Sequence, residues 1–106
     1  MGTRKTSEIT ALEDRLNACR TVELLTEQYR PIYKAGDMVV VEGDASLQSD
    51  DTVFMEFVDN QQGLGLFVSR GPQVIRVRGF FDGGATRQFK ADTVTFMGRV
   101  VATFRP

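Results

Sequence analysis

A chain of 106 residues, 42% of them hydrophobic, has the size of one small domain and enough apolar side chains for a core. The formal net charge of −1, the lack of histidine and the single cysteine argue against general attraction to nucleic acid, an internal disulfide or a transition-metal site. We see neither a signal-peptide pattern nor an apolar run of the roughly 20 residues that a membrane span needs. We therefore expect a cytoplasmic protein with no cofactor.

One amphipathic helix is predicted near the N-terminus, over about residues 7–20. Ser7 or Thr6 can cap it, and Glu8 lies favourably in its first turn. Its apolar positions recur at helical spacing and are Ile9, Leu12, Leu16 and Cys19. We assign residues 1–20 to a polar tail and this helix, and residues 21–106 to a β-domain, the whole being one compact domain.

Short strands are predicted through the rest of the chain, because β-branched and apolar runs alternate with turns rich in Gly, Asp and Pro. These predicted strands cover residues 21–26, 38–42, 52–58, 64–69, 73–78 and 93–104. The fourth and fifth form a hairpin, and in the fifth Ile75 and Val77 make one apolar face. Gly98, in the middle of the last strand, predicts a bulge, a kink or a close backbone approach. The expected fold is mainly β: one N-terminal helix, then a bent, partly open barrel or sheet of six or seven strands.

Acidic and basic residues are segregated along the sequence. Residues 36–60 hold seven acidic and no basic residues, whereas residues 61–106 hold seven basic and two acidic ones. The favoured interpretation is that these strands are neighbours and neutralise each other. The alternative is a bipolar surface that steers a partner or self-association.

Several short motifs follow one another in a familiar order. Pro31-Ile32 is followed by the Gly36-Asp37 turn and the apolar strand 38–41, residues 49–54 make a second turn and strand, and residues 96–102 make a closing strand around a glycine. In this order, over about residues 21–106, the chain resembles the C-terminal domain of LexA and lambda-type phage repressors. That resemblance implies the mostly-β fold of the self-cleaving Ser–Lys peptidases.

The resemblance also implies a catalytic pair that this sequence lacks. In the family a serine attacks a peptide carbonyl and a buried, neutral lysine takes its proton. The serine position falls near Gln28 and the lysine position near Gly65, and neither residue supplies a nucleophile or a base. The lysines of the chain are Lys5, Lys34 and Lys90. We therefore expect a pseudo-peptidase and not an enzyme.

Two other patterns favour ordinary structure over a ligand site. Gly63-Leu64-Gly65 lacks the third glycine and the Gly-Lys-Ser/Thr ending of a phosphate loop. The acidic positions Glu42, Asp44, Asp50 and Asp51 do not have the spacing of an EF-hand and are expected to be solvated, so no metal site is predicted.

The leading hypothesis is a non-catalytic regulator, phage or bacterial, that acts by protein–protein association. Its partner would be a repressor of related fold or a second copy of the chain, because the family's fold also serves dimerisation. The candidate partner-binding residues are Phe80, Phe81, Phe96, Arg99, Val101 and Phe104. For each of them the alternative is burial in the protein's own core.

Two hypotheses from other classes compete with it. One is a small SH3-like or KOW-like barrel that serves as an adaptor or binds nucleic acid through a basic and aromatic surface. The acidic half and the net charge argue against nucleic acid, and about 20 residues before the β-domain leave no room for a helix-turn-helix. The other is an enzyme of unrecognised type.

Overall fold

The computed structural model describes residues 19–43, 46–81 and 84–105. Within these ranges the chain forms one antiparallel sheet and a short 3-10 helix at Ala91–Thr93. The strands are β1 (Cys19–Glu23), β2 (Met38–Glu42), β3 (Thr52–Phe57), β4 (Gln62–Arg70), β5 (Val74–Arg78), β6 (Thr86–Lys90) and β7 (Val94–Phe104), in the spatial order β1-β2-β7-β3-β4-β5-β6. The prediction of a mainly-β, open sheet is confirmed. Most of the predicted helix, up to residue 18, lies outside the described residues.

The start of β1 differs from the expectation. The predicted helix ran through residue 20, and the first strand was expected at residues 21–26. Instead Cys19 and Arg20 already pair with Glu42 and Val41 of β2. Pairing along the whole of β2 therefore decides the conformation here, although the helical spacing of apolar residues extends through Cys19.

Strand β7 joins the two halves of the sheet. Its first half pairs with β3 as far as Arg99, and from Arg99 to Phe104 it pairs with β2 along its opposite edge. Strands β1 and β2 are thus attached only to the second half of β7, and strands β3 to β6 only to the first half. The predicted hairpin of β4 and β5 is confirmed, with Arg70 opposite Ile75.

The sheet carries a hydrophobic core on each face. Side chains of a strand point alternately to opposite faces, so Val53 and Met55 of β3 join one cluster while Phe54 joins the other. Ile75 and Val77 are buried in the first cluster, as predicted. The second cluster is covered by the connection between β1 and β2, and its buried members are Leu24, Val39, Val41, Phe54 and Leu64.

Gly98 lies where β7 passes very close to β2. A Cβ atom at this position would be 2.6 Å from the backbone oxygen of Glu42 and 2.7 Å from Cγ1 of Val41. Farther along, Val41 is opposite Val100 and Val40 is opposite Ala102, so Val101 is an extra residue in the ladder. The close backbone approach predicted at Gly98 is confirmed, and a bulge follows it.

Replacing Gly98 by alanine should destabilise the protein by about 2 kcal/mol, because β7 would have to move away from β2. Urea unfolding followed by circular dichroism measures this change. Gly71→Ala is the matched control, since its Cβ would meet nothing closer than 3.6 Å. Equal unfolding midpoints for the two variants would contradict the close approach.

The turn before β2 is built around a buried carboxylate. Gly36 has a φ of +94°, which favours glycine, and Asp37 next to it is only 4% exposed. Oδ2 of Asp37 accepts a hydrogen bond from the amide of Lys34 at 3.0 Å and lies 3.4 Å from Nε of Arg105. The residue after β7 is thereby tied to the residue before β2, which fixes the end of this pair of strands.

Asp37→Ala should cost about 1–3 kcal/mol, because it leaves the Lys34 amide without its acceptor and Arg105 without its ionic partner. The free energy of unfolding in urea is the measurement. Asp92→Ala is the control, since Asp92 is exposed and makes no hydrogen bond with the described residues. A loss of stability no larger than in this control would show that the carboxylate does not hold the turn.

Candidate interaction surfaces

Phe96 is a packing residue. It is half-buried, its ring centroid lies 6.3 Å from that of Phe54, and the guanidinium carbon of Arg20 lies 3.8 Å from the centroid of its ring. These contacts hold β1 and β3 against β7. The expectation that Phe96 binds a partner is therefore not supported by its surroundings.

Arg99 is also engaged within the chain. Its guanidinium lies 3.1 Å from the carboxylate of Glu42 and 3.9 Å from that of Asp51. Both acids come from segments that meet β7 at the point where its partner changes. Arg99 therefore stabilises this junction, and its role in binding a partner stays a prediction.

The fold neutralises part of the charge segregation of the sequence. Besides Arg99, Arg105 pairs with Asp37 and Arg78 pairs with Asp50, so basic residues of the second half meet acidic residues of the first. This geometry supports the interpretation of neighbouring strands. The basic side chains after residue 60 that have no ionic partner among the described residues are Arg70, Arg76, Arg87 and Lys90.

Arg99→Gln should lower the free energy of unfolding by about 1 kcal/mol, because two carboxylates lose their cation at a half-buried position. Arg76→Gln makes the same chemical change at an exposed position without an ionic partner in the described chain, and should leave stability unchanged. Thermal and urea unfolding of the two variants provide the comparison. If Arg76→Gln proved as costly as Arg99→Gln, the neutralising role of Arg99 would be wrong.

One candidate surface is the free edge of β7, by which we mean the edge of residues 100–104 that faces away from β2. Strand β3 pairs with this edge only as far as Arg99, and no other strand in the described ranges continues the ladder. Val101 is 48% exposed and Phe104 is 58% exposed. Two predicted partner-binding residues thus lie together at an unpaired edge.

The second candidate surface is a cavity of about 180 Å³, which we call the aromatic cleft. It lies between the β1–β2 connection, which contributes Gln28 and Tyr29, and the β5–β6 hairpin, which contributes Phe80, Phe81 and Arg87. Phe80 is half-buried and belongs to the second core cluster, whereas Phe81 is 38% exposed. The structure therefore brings Phe80 and Phe81 to one site and separates them from Val101 and Phe104.

The two positions expected from the repressor resemblance lie at or beside this cleft. Gln28 lines it directly. A Cβ atom at Gly65 would be 2.3 Å from Cγ1 of Val77 and 2.8 Å from the backbone oxygen of Arg78, and both of these residues line the cleft. Residue 65 is therefore packed too tightly for any side chain, a lysine included.

Arg87 belongs, with Phe80 and Phe81, to the basic and aromatic surface that the sequence offers as a candidate for binding nucleic acid, and the structure brings these three residues to the cleft. Strand β6, which carries Arg87, was not predicted, because its sequence has one apolar residue and it lies exposed at the edge of the sheet. The Phe80-Phe81 pair was a usable signal, since two adjacent aromatic rings need other rings or apolar side chains to pack against.

No protein-family model, curated protein sequence or solved structure matches this chain significantly. The resemblance to the repressor domain accordingly stays a prediction from short motifs. Among residues 19–43, 46–81 and 84–105, no group of three or more His, Cys, Asp or Glu side chains is arranged to hold a metal ion. The same part of the chain contains no helix with the length and apolar character for crossing a membrane.

Proposed function

We propose that this protein is a non-catalytic relative of the repressor C-terminal domain that acts by binding another protein along the free edge of β7. The observation that carries the proposal is this unpaired edge with Val101 and Phe104 exposed on it. The partner is a strand of a related sheet, belonging to a repressor or to a second copy of the chain. The assignment to a phage or bacterial regulator rests on analogy of fold.

An unpaired edge presents backbone N–H and C=O groups that a further strand can satisfy. Proteins that avoid such pairing place charged residues or proline on exposed edges, but residues 100–104 contain neither. The charged residues that flank this stretch are Arg99 and Arg105, and they are held by Glu42 and Asp37. The free edge of β7 is therefore open to strand addition, in which main-chain hydrogen bonds give affinity and the exposed side chains give specificity.

A second copy of the chain can bind in the same way. Two β7 edges placed antiparallel around a twofold axis form a self-complementary interface, in which each Phe104 lies near the start of the other edge. A repressor of related fold would offer an edge of similar length. In both cases the interface is a continuous ladder across two sheets, and it needs no catalytic group.

Phe104→Asp should abolish association while the monomer stays folded, because a carboxylate at the edge resists burial against an incoming strand. The measurements are the light-scattering mass over a range of protein concentrations and a pull-down from bacterial and phage-infected lysate read by mass spectrometry. Val58→Asp is the matched control, since Val58 is 62% exposed but lies in the turn after β3. Circular dichroism verifies that each variant is folded.

Three results would overturn the proposal. The first is wild-type association of Phe104→Asp, which would place the interface elsewhere. The second is loss of the folded monomer on this substitution, which would show that Phe104 is a core residue. The third is capture of nucleic acid that is lost at moderate salt, which would favour the small nucleic-acid-binding barrel.

A further inference from the structure

The volume of the aromatic cleft fits one side chain. Its cavity is about 180 Å³. Sites for small molecules and cofactors usually measure roughly 300–1,000 Å³, whereas an apolar cavity of about 150 Å³ holds a single benzene ring. The cleft therefore has room for one ring or one branched aliphatic group.

The walls of the cleft are largely fixed. Phe80 meets Tyr29 edge to face, with centroids 6.1 Å apart and planes at 89°, and its ring also lies 5.8 Å from that of Tyr33. Met55 and Leu64, both buried, close the cleft from the sheet. The aromatic walls of the cleft are packed against neighbouring side chains, so the cleft is preorganised. Binding of a partner's side chain would therefore cost little free energy for rearrangement of the protein.

Phe81 extends the apolar surface beyond the slot. Its centroid lies 6.4 Å from that of Phe80 with the planes at 76°, and 38% of it remains exposed. Because Phe81 lines the cleft and also faces solvent, a small ligand confined to the cleft would leave part of this ring uncovered. A longer chain with one anchoring side chain would cover both, and anchors of this kind carry most of the binding energy in protein interfaces.

The charge beside the slot is positive. Two arginines line the cleft, and Arg78 is occupied by its ion pair with Asp50. Arg87 is exposed and has no carboxylate partner among the described residues. A guanidinium carries five N–H donors and no acceptor, so its complement is a carboxylate.

We propose that the aromatic cleft is a second binding site, which takes one large apolar side chain of an extended peptide segment in a partner protein, with an acidic residue next to that side chain paired to Arg87. The site rests on the cavity, the exposed Phe81 and the guanidinium of Arg87, which has no ionic partner within residues 19–43, 46–81 and 84–105. It does not depend on the free edge of β7.

The test is a titration followed by amide chemical shifts of the ¹⁵N-labelled protein with three short blocked peptides at millimolar concentrations. The first peptide is acetyl-Asp-Phe-Asp-amide, which should shift the resonances of Tyr29, Phe81 and Arg87 in a saturable way. Acetyl-Lys-Phe-Lys-amide has the same anchor with the opposite charge, and acetyl-Asp-Ala-Asp-amide has the charge without the anchor. Each should bind about tenfold more weakly or worse.

Two variants with the same charge change separate the cleft from general electrostatics. Arg87→Glu should weaken binding of the acidic peptide about tenfold and favour the lysine peptide, because the charge beside the slot is reversed. Arg76→Glu should change neither affinity by more than about twofold, since Arg76 is exposed and does not line the cleft. Phe81→Ala should weaken binding of both phenylalanine peptides.

The proposal is wrong if the three peptides produce equal shifts, if no saturable shift occurs, or if the shifted residues lie away from the cleft. Equal effects of Arg87→Glu and Arg76→Glu would likewise overturn it. Phe104→Asp should leave peptide binding unchanged, so failure at the free edge of β7 and failure at the aromatic cleft are distinguishable. The dispersion of amide resonances shows whether each variant is folded.

Discussion

Strand β7 is paired with β3 over its first half and with β2 over its second, and Arg99 is the residue where one partner gives way to the other. This change of partner imposes the main features of the sheet. It requires β2 to approach β7 so closely at Gly98 that no side chain fits. It also brings acids from two segments to the guanidinium of Arg99. Beyond Arg99, β3 no longer pairs with β7, and no other described strand lies beside this edge. The free edge of β7 is therefore a consequence of the change of partner at Arg99.

The two cores follow from a sheet that is covered differently on its two faces. Because β3 is central, its alternating residues serve both clusters, and the sheet cannot expose one face of this strand as a simple two-layer fold would. On the second face the connection from β1 to β2 supplies Tyr29 and Tyr33, which pack on Phe80 from the loop after β5. The aromatic cleft lies between these two connections and strand residues that include Met55 and Val77 of the first cluster. Its shape therefore depends both on the packing of the connections and on the strands beneath them.

Features that depend on local pattern could be read from the sequence. Alternation placed Ile75 and Val77 in the core, the Gly36-Asp37 pair marked the turn before β2, and Gly98 indicated a close approach. Features that depend on tertiary pairing could not. Helical spacing suggested that Cys19 belonged to a helix, but pairing with β2 places it in a strand. Strand β6 has too little apolar character for its pattern to predict a strand, so the sequence alone does not show that this strand forms one wall of the cleft.

The contacts of the candidate partner-binding residues likewise depend on tertiary structure and not on local pattern. Residue type does not distinguish Phe96 and Arg99 from Phe81 and Phe104 as interface candidates. The type of a residue does not show whether its side chain is exposed. In the structure Phe96 lies under Arg20 and Arg99 lies between two acids, so both have contacts within the chain that Phe104 lacks among the described residues. Neither pair of contacts is visible in the sequence, since both join segments far apart in the chain.

The internal ion pairs also determine what kind of recognition the molecule can perform. Arg78, Arg99 and Arg105 are engaged by carboxylates, so these three guanidiniums are less available to attract a charged partner. The proposed selectivity comes from short-range features, namely the unpaired edge of β7, the aromatic cleft and the guanidinium of Arg87, which has no ionic partner in the described part of the chain. Each of these acts only at contact, and each favours a partner by geometry. The proposed recognition of an extended protein segment relies on these contact features, whereas binding of a nucleic acid relies mainly on the uniform charge of its phosphates.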